Sequence, residues 1–453
     1  MSEGLAMSTT ASWKALLAFS ASALCLAPGP VLAQTSSTAQ LEERIRSLEA
    51  ALAEVRTELG AVRAAEHGMR DDIVRLRDAP AAAPVQAAAP ARDGFQVGAT
   101  TFRIGGFIKA DALFTDYSAG DAPAGTSRDL YQPGATPVGG ASEDDLSVDF
   151  HGKQTRLSLT ATRAVEGHTL SGYLEGDFQT APGTQGSEMT TNGYNFAMRR
   201  AYISYDKFLF GQDWSTFQNS GVLPETTDFV GPTEGTVFVR QAQIRYSQPL
   251  GEGLQLQVAL ENPETGVSGI GAVDDDTMPD VVGRLNLTRG SNQFSLAGVV
   301  RQLNYEQGAV NAEETGFGLS AAGKIVFDPR NDLRFMVSGG EGIGRYLGLG
   351  FAPDAVLVAG DLQVPSVLSG FVSLRHGWSP RTRSTVSYAM IEVDRDGLPA
   401  TASESSWSAS ANLFFEPTSG LLLGAEYRYA ERELFNGLDG ALSRLHLVAK
   451  QNF

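Results

Sequence analysis

The sequence predicts an all-β transmembrane barrel of about 16 antiparallel strands, with 18 also compatible, preceded by an N-terminal α-helical coiled coil. Three observations lead there. First, residues 95–453 repeat one pattern, short segments that alternate apolar with polar residues and are broken by Gly, Asn, Asp and Pro, as in "RLSLTAT" from Arg156, "GRLNLT" from Gly283 and "LLLGAEYRYA" from Leu421. Second, beyond the first 33 residues no run is long and apolar enough for a membrane helix, so a membrane-resident chain would have to close its strands into a barrel. Third, aromatic residues such as Tyr202, Tyr205, Trp214, Trp378, Tyr388, Trp407, Tyr427 and Tyr429 cluster near segment ends, where an interfacial girdle would sit.

Read in chain order, residues 1–33 carry Lys14 followed by "ALLAFSASALCLAPGPVLA", an apolar stretch with a small-residue ending, and read as an export signal cut after Ala33. The only cysteine, Cys25, lies inside it, so no disulfide framework is expected in the mature chain. Residues 34–77 contain Leu41, Ile45, Leu48, Leu52, Val55, Leu59, Val62, Met69, Ile73 and Leu76, spaced alternately four and three apart with Glu66 as the one interruption. That heptad seam predicts a left-handed coiled coil about 50 Å long, of two or three strands. Residues 78–94, with "DAPAAAPVQAAAPARD", have the composition of a semi-extended spacer.

The 359 residues from Phe95 to Phe453, at about 20 to 22 per strand and connection, give the count of 16 to 18 strands. Local alternation alone fits a soluble sandwich as well, with polar rows facing solvent and apolar rows a core. In the barrel reading the apolar row meets lipid and the polar row lines a wet lumen. Parity then places Arg103, Lys109, Arg156, Arg200, Arg245, Arg284, Arg301, Arg334, Arg375, Arg383 and Arg428 inside, together with Asp111, Glu175, Asp177 and Glu426. The formal charge of −17 concentrates instead in presumed loops such as "SEDDLS" at 142–147 and "DDD" at 274–276, so an acidic molecule can enclose a cationic interior. The bland alternative is that inward arginines pair with inward acids as scaffolding. Phe453 falls on the apolar row of the last segment, in which Arg444, His446, Lys450 and Asn452 take the polar positions.

The stretch "GQDWSTFQNSGVLPETTDFVGPTEGTVFVRQAQIRYSQPL", from Gly211, opens a strand into a long loop with Pro224 and Pro232 and returns through Arg240 and Arg245. A loop of that length folded inward would constrict a lumen. With "FRIGGFIKADALFTDY" at 102–117 and the N-terminal heptads, it resembles the DcaP-type trimeric porins of Gram-negative outer membranes. The resemblance implies a homotrimer in outer-membrane lipid with a periplasmic coil, and a passive channel taking small anionic organic solutes such as dicarboxylates through a basic constriction. It implies constriction roles for Lys109, Arg200, Arg240 and Arg245, with Arg156, Arg284 and Arg301 added as pore-lining by parity. Porins as a class also end on an aromatic strand terminus read by the barrel-insertion machinery, the role this implies for Phe453. Arg240 has the opposite parity to Arg245, so either a bulge resets the register or one of the two faces away.

Other classes fit less well. Five scattered histidines, no H-E-x-x-H and no G-x-S-x-G leave no recognisable catalytic motif, and "GGEGIGRYLGLG" from Gly339 lacks the Lys-Ser/Thr pair of a phosphate loop. No cofactor or metal is expected, and without a basic tract no nucleic-acid partner. A structural or adhesive envelope protein would need a far smaller barrel share per chain. A phosphate-selective or general diffusion porin is the nearer alternative, though the former calls for Lys-rich ladders and this body is rich in Arg and poor in Lys.

Overall fold

The computed structural model describes residues 94–140, 146–179, 192–273 and 275–453. The expected signal segment, coiled coil and almost all of the spacer lie outside them. The chain begins with a short ribbon, β1 (Phe95–Val97), that folds back on β2 (Thr100–Tyr117). There follow β3 (Ser147–His151), β4 (Arg156–Val165), β5 (His168–Asp177), β6 (Ala197–Tyr205), β7 (Phe208–Trp214), β8 (Arg240–Gly251) and β9 (Leu254–Glu261). After the loop hairpin β10 (Thr265–Val267) and β11 (Gly271–Val273) come β12 (Asp280–Arg289), β13 (Asn292–Gln307), β14 (Val310–Asp328) and β15 (Asn331–Glu341). A second loop hairpin, β16 (Val356–Val358) and β17 (Asp361–Gln363), precedes β18 (Ser366–Gly377), β19 (Thr382–Val393), β20 (Ser403–Thr418), β21 (Leu421–Leu434) and β22 (Asp439–Asn452).

Each wall strand pairs antiparallel with its chain neighbours, and β22 pairs with β2 to close the ring. Both β3 and β4 pair with β2, against residues 111–115 and 101–107, so together they form one interrupted barrel strand. The closed wall therefore has 16 antiparallel strands. Closure removes the unpaired edge that an open sheet would leave in hydrocarbon. The seam ends at the last residue, where the Phe453 amide donates to Gly106 O at 3.2 Å and the Gly106 amide donates to Phe453 O at 3.3 Å.

At one end the strands join through turns of two to four residues, while most long connections lie at the other. Two of the short turns, Glu166-Gly167 and Glu252-Gly253, have both residues at positive φ, the geometry whose twist matches a two-residue hairpin. At Gly253 a Cβ would stand 2.1 Å from Thr288 O, so only glycine fits.

The alternation read from sequence is physical. Along β22, Leu445, Leu447 and Ala449 are exposed on the outside while Arg444 and His446 are buried inside. The same outward row carries Ile104, Ile108, Ile203, Phe210, Ile244, Leu319, Val372 and Leu423, all more than 40 % exposed; each gains about 1.5–3 kcal/mol when lipid replaces water around it. Tyr388, Trp407 and Tyr429 stack into an outward ladder, with ring centroids 6.1 and 5.5 Å apart, as a girdle requires. Tyr202 and Trp214, expected in that girdle, instead meet the Arg200 and Arg240 guanidiniums.

The inside is not uniformly wet. On β12, β13, β15, β18 and β19 the inward row is itself apolar (Val282, Val299, Met336, Phe371, Ile391), and the segments 215–239 and 342–365 pack Phe217, Val222, Val237, Tyr346 and Leu347 against it. Part of the lumen is thus a hydrophobic core, a departure from the expectation of an open channel. Gly235 lies so close to the wall that a Cβ would fall 2.2 Å from the carbonyl carbon of Gly370. Gly235→Ala is expected to push the inward segment off the wall, costing about 1–3 kcal/mol of overpacking and lowering single-channel conductance. Wild-type conductance and thermal midpoint in this variant would contradict that packing.

Candidate functional site

On strands β4 to β8 the charged row dominates the inner face, where Phe229 of segment 215–239 meets it, 5.5 Å from Arg156 and 5.2 Å from Arg199. Arg156 (β4) donates to Asp177 (β5) at 2.7 Å and approaches Glu175 at 3.5 Å. Arg200 (β6) and Arg245 (β8) hold opposite oxygens of Asp213 (β7) at 2.6 and 2.8 Å. Arg199 also reaches inward, donating from Nε to Asp177 at 2.7 Å and from its terminal nitrogen to Gln179 O. Two adjacent strand residues share a face here because the β5–β6 register slips, Glu175 facing Arg200 and Gly176 facing Met198, so Arg199 is the extra residue of a bulge. Arg240 completes the group, 4.6 Å over the Trp214 ring and 5.6 Å over Phe238. Five arginines thus face three carboxylates. Arg240 has no ion-pair partner among the described residues, and its Nη1 is buried without a hydrogen bond.

Segment 215–239 runs round the opposite inner wall and is pinned strand by strand. Its Thr216 amide donates to Glu261 (β9) at 2.6 Å, Gln218 O accepts from Arg284 (β12), and Asn219 donates to Ser295 (β13) at 2.8 Å. Leu223 O accepts from Arg334 (β15) at 2.5 Å, and Glu225 takes both ends of the Arg383 guanidinium (β19) at 2.6 Å. Thr226 and Thr227 then bond to Glu426 (β21), and Thr227 O accepts from Lys109 Nζ (β2) at 2.6 Å.

This path covers the segment's own acids. Glu225 is neutralised by Arg383. Asp228 accepts from the Tyr131, Val230 and Gly231 amides. Glu234, 0 % exposed, accepts from the Tyr131 and Ser408 hydroxyls at 2.5 and 3.0 Å. Burial pushes the Glu234 carboxyl above the usual carboxylate range, with Arg428 and Tyr131 pulling the other way. The loop therefore presents little negative charge across from the arginines.

Between the two walls lies a cavity of about 510 Å³, lined by Arg199, Arg240 and Gln212 from the strands, Phe229, Val230 and Phe238 from the segment, and Thr126, Leu130 and Gln132 in and just after the helical turn α1 (Thr126–Asp129). Cations at a narrow point bordered by protein are screened less than at an open surface. The sequence profile of the DcaP outer membrane protein family matches residues 95–453.

The chain belongs to the DcaP outer membrane protein family. In fold it is similar to the outer membrane channel DcaP of Acinetobacter baumannii, at a TM-score of 0.69 and 24 % identity over 80 % of this chain and 100 % of that one. It is similar at lower scores to OmpF of Salmonella typhi (TM-score 0.52, 11 % identity, 78 % of this chain and 98 % of that one) and to OmpT of Vibrio cholerae (0.51, 12 %, 79 % and 99 %). No curated protein sequence matches the chain. It is an outer-membrane porin barrel, and its short turns mark the periplasmic end.

Of the residues singled out from sequence, this DcaP-family barrel brings Arg156, Arg200, Arg240 and Arg245 together on the β4–β8 wall. Arg240 keeps the opposite parity to Arg245, because the β7–β8 ladder is regular from Trp214–Arg240 to Phe208–Tyr246; as the first residue of its strand it lines the cavity from the crest of the wall. Arg284 is adjacent, held by Gln257 and Gln218 O, with no acid paired to it among the described residues. Lys109, 6 % exposed, is an anchor for the segment tip and binds Asp111 at 2.8 Å. Arg301, with a side chain 0 % exposed, sits between Asp354 at 2.9 Å and Asp280 at 3.4 Å. Arg199 escaped the parity reading, although two adjacent arginines in one strand signal a bulge, since otherwise one would face lipid.

Proposed function

We propose that this porin is a passive diffusion channel that prefers small organic anions, dicarboxylates among them. The observation that carries the reading is the one-sided charge of the constriction. Arg199 and Arg240 line the cavity, Arg240 has no acidic partner among the described residues, and the carboxylates of segment 215–239 are each covered. The working form is a homotrimer in outer-membrane lipid, with residues 34–77 as its periplasmic coil. Its subunit interface is the low wall: β6 and β7 have only 9 and 7 residues against 19 in β14. At about 3.3 Å per residue and a tilt near 40°, seven residues rise only about 18 Å, short of the roughly 25 Å apolar band of such barrels.

Reversal potentials in planar bilayers under a KCl gradient test the preference. The expected sign is that of an anion-preferring pore, and the preference weakens as salt is raised. A cation-preferring reversal potential overturns the reading.

A further inference from the structure

Below the constriction lies a second cation that neither the arginine wall nor the inward segment uses. Lys450 is on the inward row of β22, three residues from the periplasmic end of the chain and opposite Lys109 in the β2 ladder. Lys109 spends its ammonium on Asp111, Gln154 and Thr227 O. Lys450 makes no hydrogen bond or ion pair with any described residue. Its Nζ stands 4.1 Å from the centre of the Phe107 ring. The charges acting on it most are Lys109, Glu225 and Arg156, and the one acid among them, Glu225, is already clamped by Arg383.

The Phe107 ring also continues a column. Arg156 is 5.8 Å from Phe107 and 5.5 Å from Phe229. Phe229 in turn lies 6.1 Å from Phe238, over which Arg240 sits. Cations and rings therefore follow one another from Arg240 at the loop end, through Arg156, to Lys450 at the periplasmic end. The rings hold Arg240 and Lys450 in place by attraction to the π face while leaving their N–H groups available to a carboxylate, whereas Arg156 between them keeps Asp177 and Glu175 and acts on a passing anion through its charge.

We infer that Lys450 is an inner binding station for carboxylates, which receives anions approaching from the periplasm and passes them to Arg156, as Arg240 receives those arriving from outside. This rests on the anion-preferring reading above and adds direction to it. Under a strong voltage that drives anions in from one side, entry at that side limits the current, so a lost charge lowers it most from the side of its own station, whereas a charge lost from a single central constriction lowers it alike from both.

The test drives succinate, as the only permeant anion and at low concentration, from each side of uniformly oriented insertions in turn. Lys450→Gln is expected to lower succinate current from one side by about fivefold, the effect of one screened charge on a dianion near 5 Å, with little change from the other. Arg240→Gln is expected to do the same from the opposite side, and Lys450→Arg to restore the wild-type current. If Lys450→Gln changes neither direction, or both equally, the inner station is wrong, while the wild-type reversal potential still decides the anion preference independently.

Discussion

The Arg199→Gln/Arg240→Gln double variant is expected to lose most of the channel's anion preference. A guanidinium about 5 Å from the solute path, acting through water, stabilises a monoanion and destabilises a monocation by roughly 0.8 kcal/mol each. Two such charges, reduced to about 60 % by a Debye length near 10 Å, shift the anion-to-cation permeability ratio by roughly thirtyfold. Removing Arg199 does not orphan its partner, because Asp177 keeps Arg156 at 2.7 Å, so the wall should stay folded. Reversal potentials before and after substitution give the answer. A permeability ratio unchanged within twofold would mean that solutes do not pass this cavity, whatever charge it holds.

The largest loss of stability is expected from Arg301→Met. Its guanidinium is enclosed, bridges Asp280 to Asp354, and also donates to the Gly342 and Glu264 carbonyls. Taking Arg301 out leaves Asp354 desolvated without its counter-charge, at a cost of about 3–5 kcal/mol, while Asp280 keeps Arg345 at 3.1 Å. The damage should reach the constriction. Asp354 is tied to the Arg345 amide, Tyr346 O accepts from the Phe238 amide at 3.0 Å, and the Gly348 amide donates to Thr236 O. A lowered thermal midpoint in detergent together with noisier open-channel current is the expected pair of results. Arg289→Gln is the matched control: its partner Glu252 is 3.9 Å away and both side chains are more than 60 % exposed, so it should change stability by under about 0.5 kcal/mol. Equal midpoints for the two variants would remove Arg301 from the framework of the barrel.

These two arginines show what one-dimensional reading can and cannot reach. Arg301 and Arg245 are indistinguishable by parity, since both sit on the inward row of a strand. They differ because segment 342–365 descends on Arg301 and seals it, whereas the face of β8 stays open. Lys109 and Lys450 make the same point: they are opposite one another in adjacent strands, yet one is consumed by the tip of segment 215–239 and the other, among the described residues, meets the Phe107 ring without an ion pair. The outward row was easier to read. Whether a side chain meets lipid depends only on its own strand and pleat, so Leu445, Leu447 and Ala449 could be placed from the last 11 residues alone.

A closed, two-faced wall of 16 to 18 strands was legible in the sequence, because a period of two with no helical span leaves a membrane chain few other ways to satisfy its backbone; the count of 16 came with the strand pairing. Which interior charges meet solute was decided only in three dimensions. Two long connections turn inward: one sets Glu225, Asp228 and Glu234 on their partners, the other seals Arg301, and Arg240 stays at the crest of the β4–β8 wall. Ion pairing and desolvation between segments more than a hundred residues apart have no signature in local pattern.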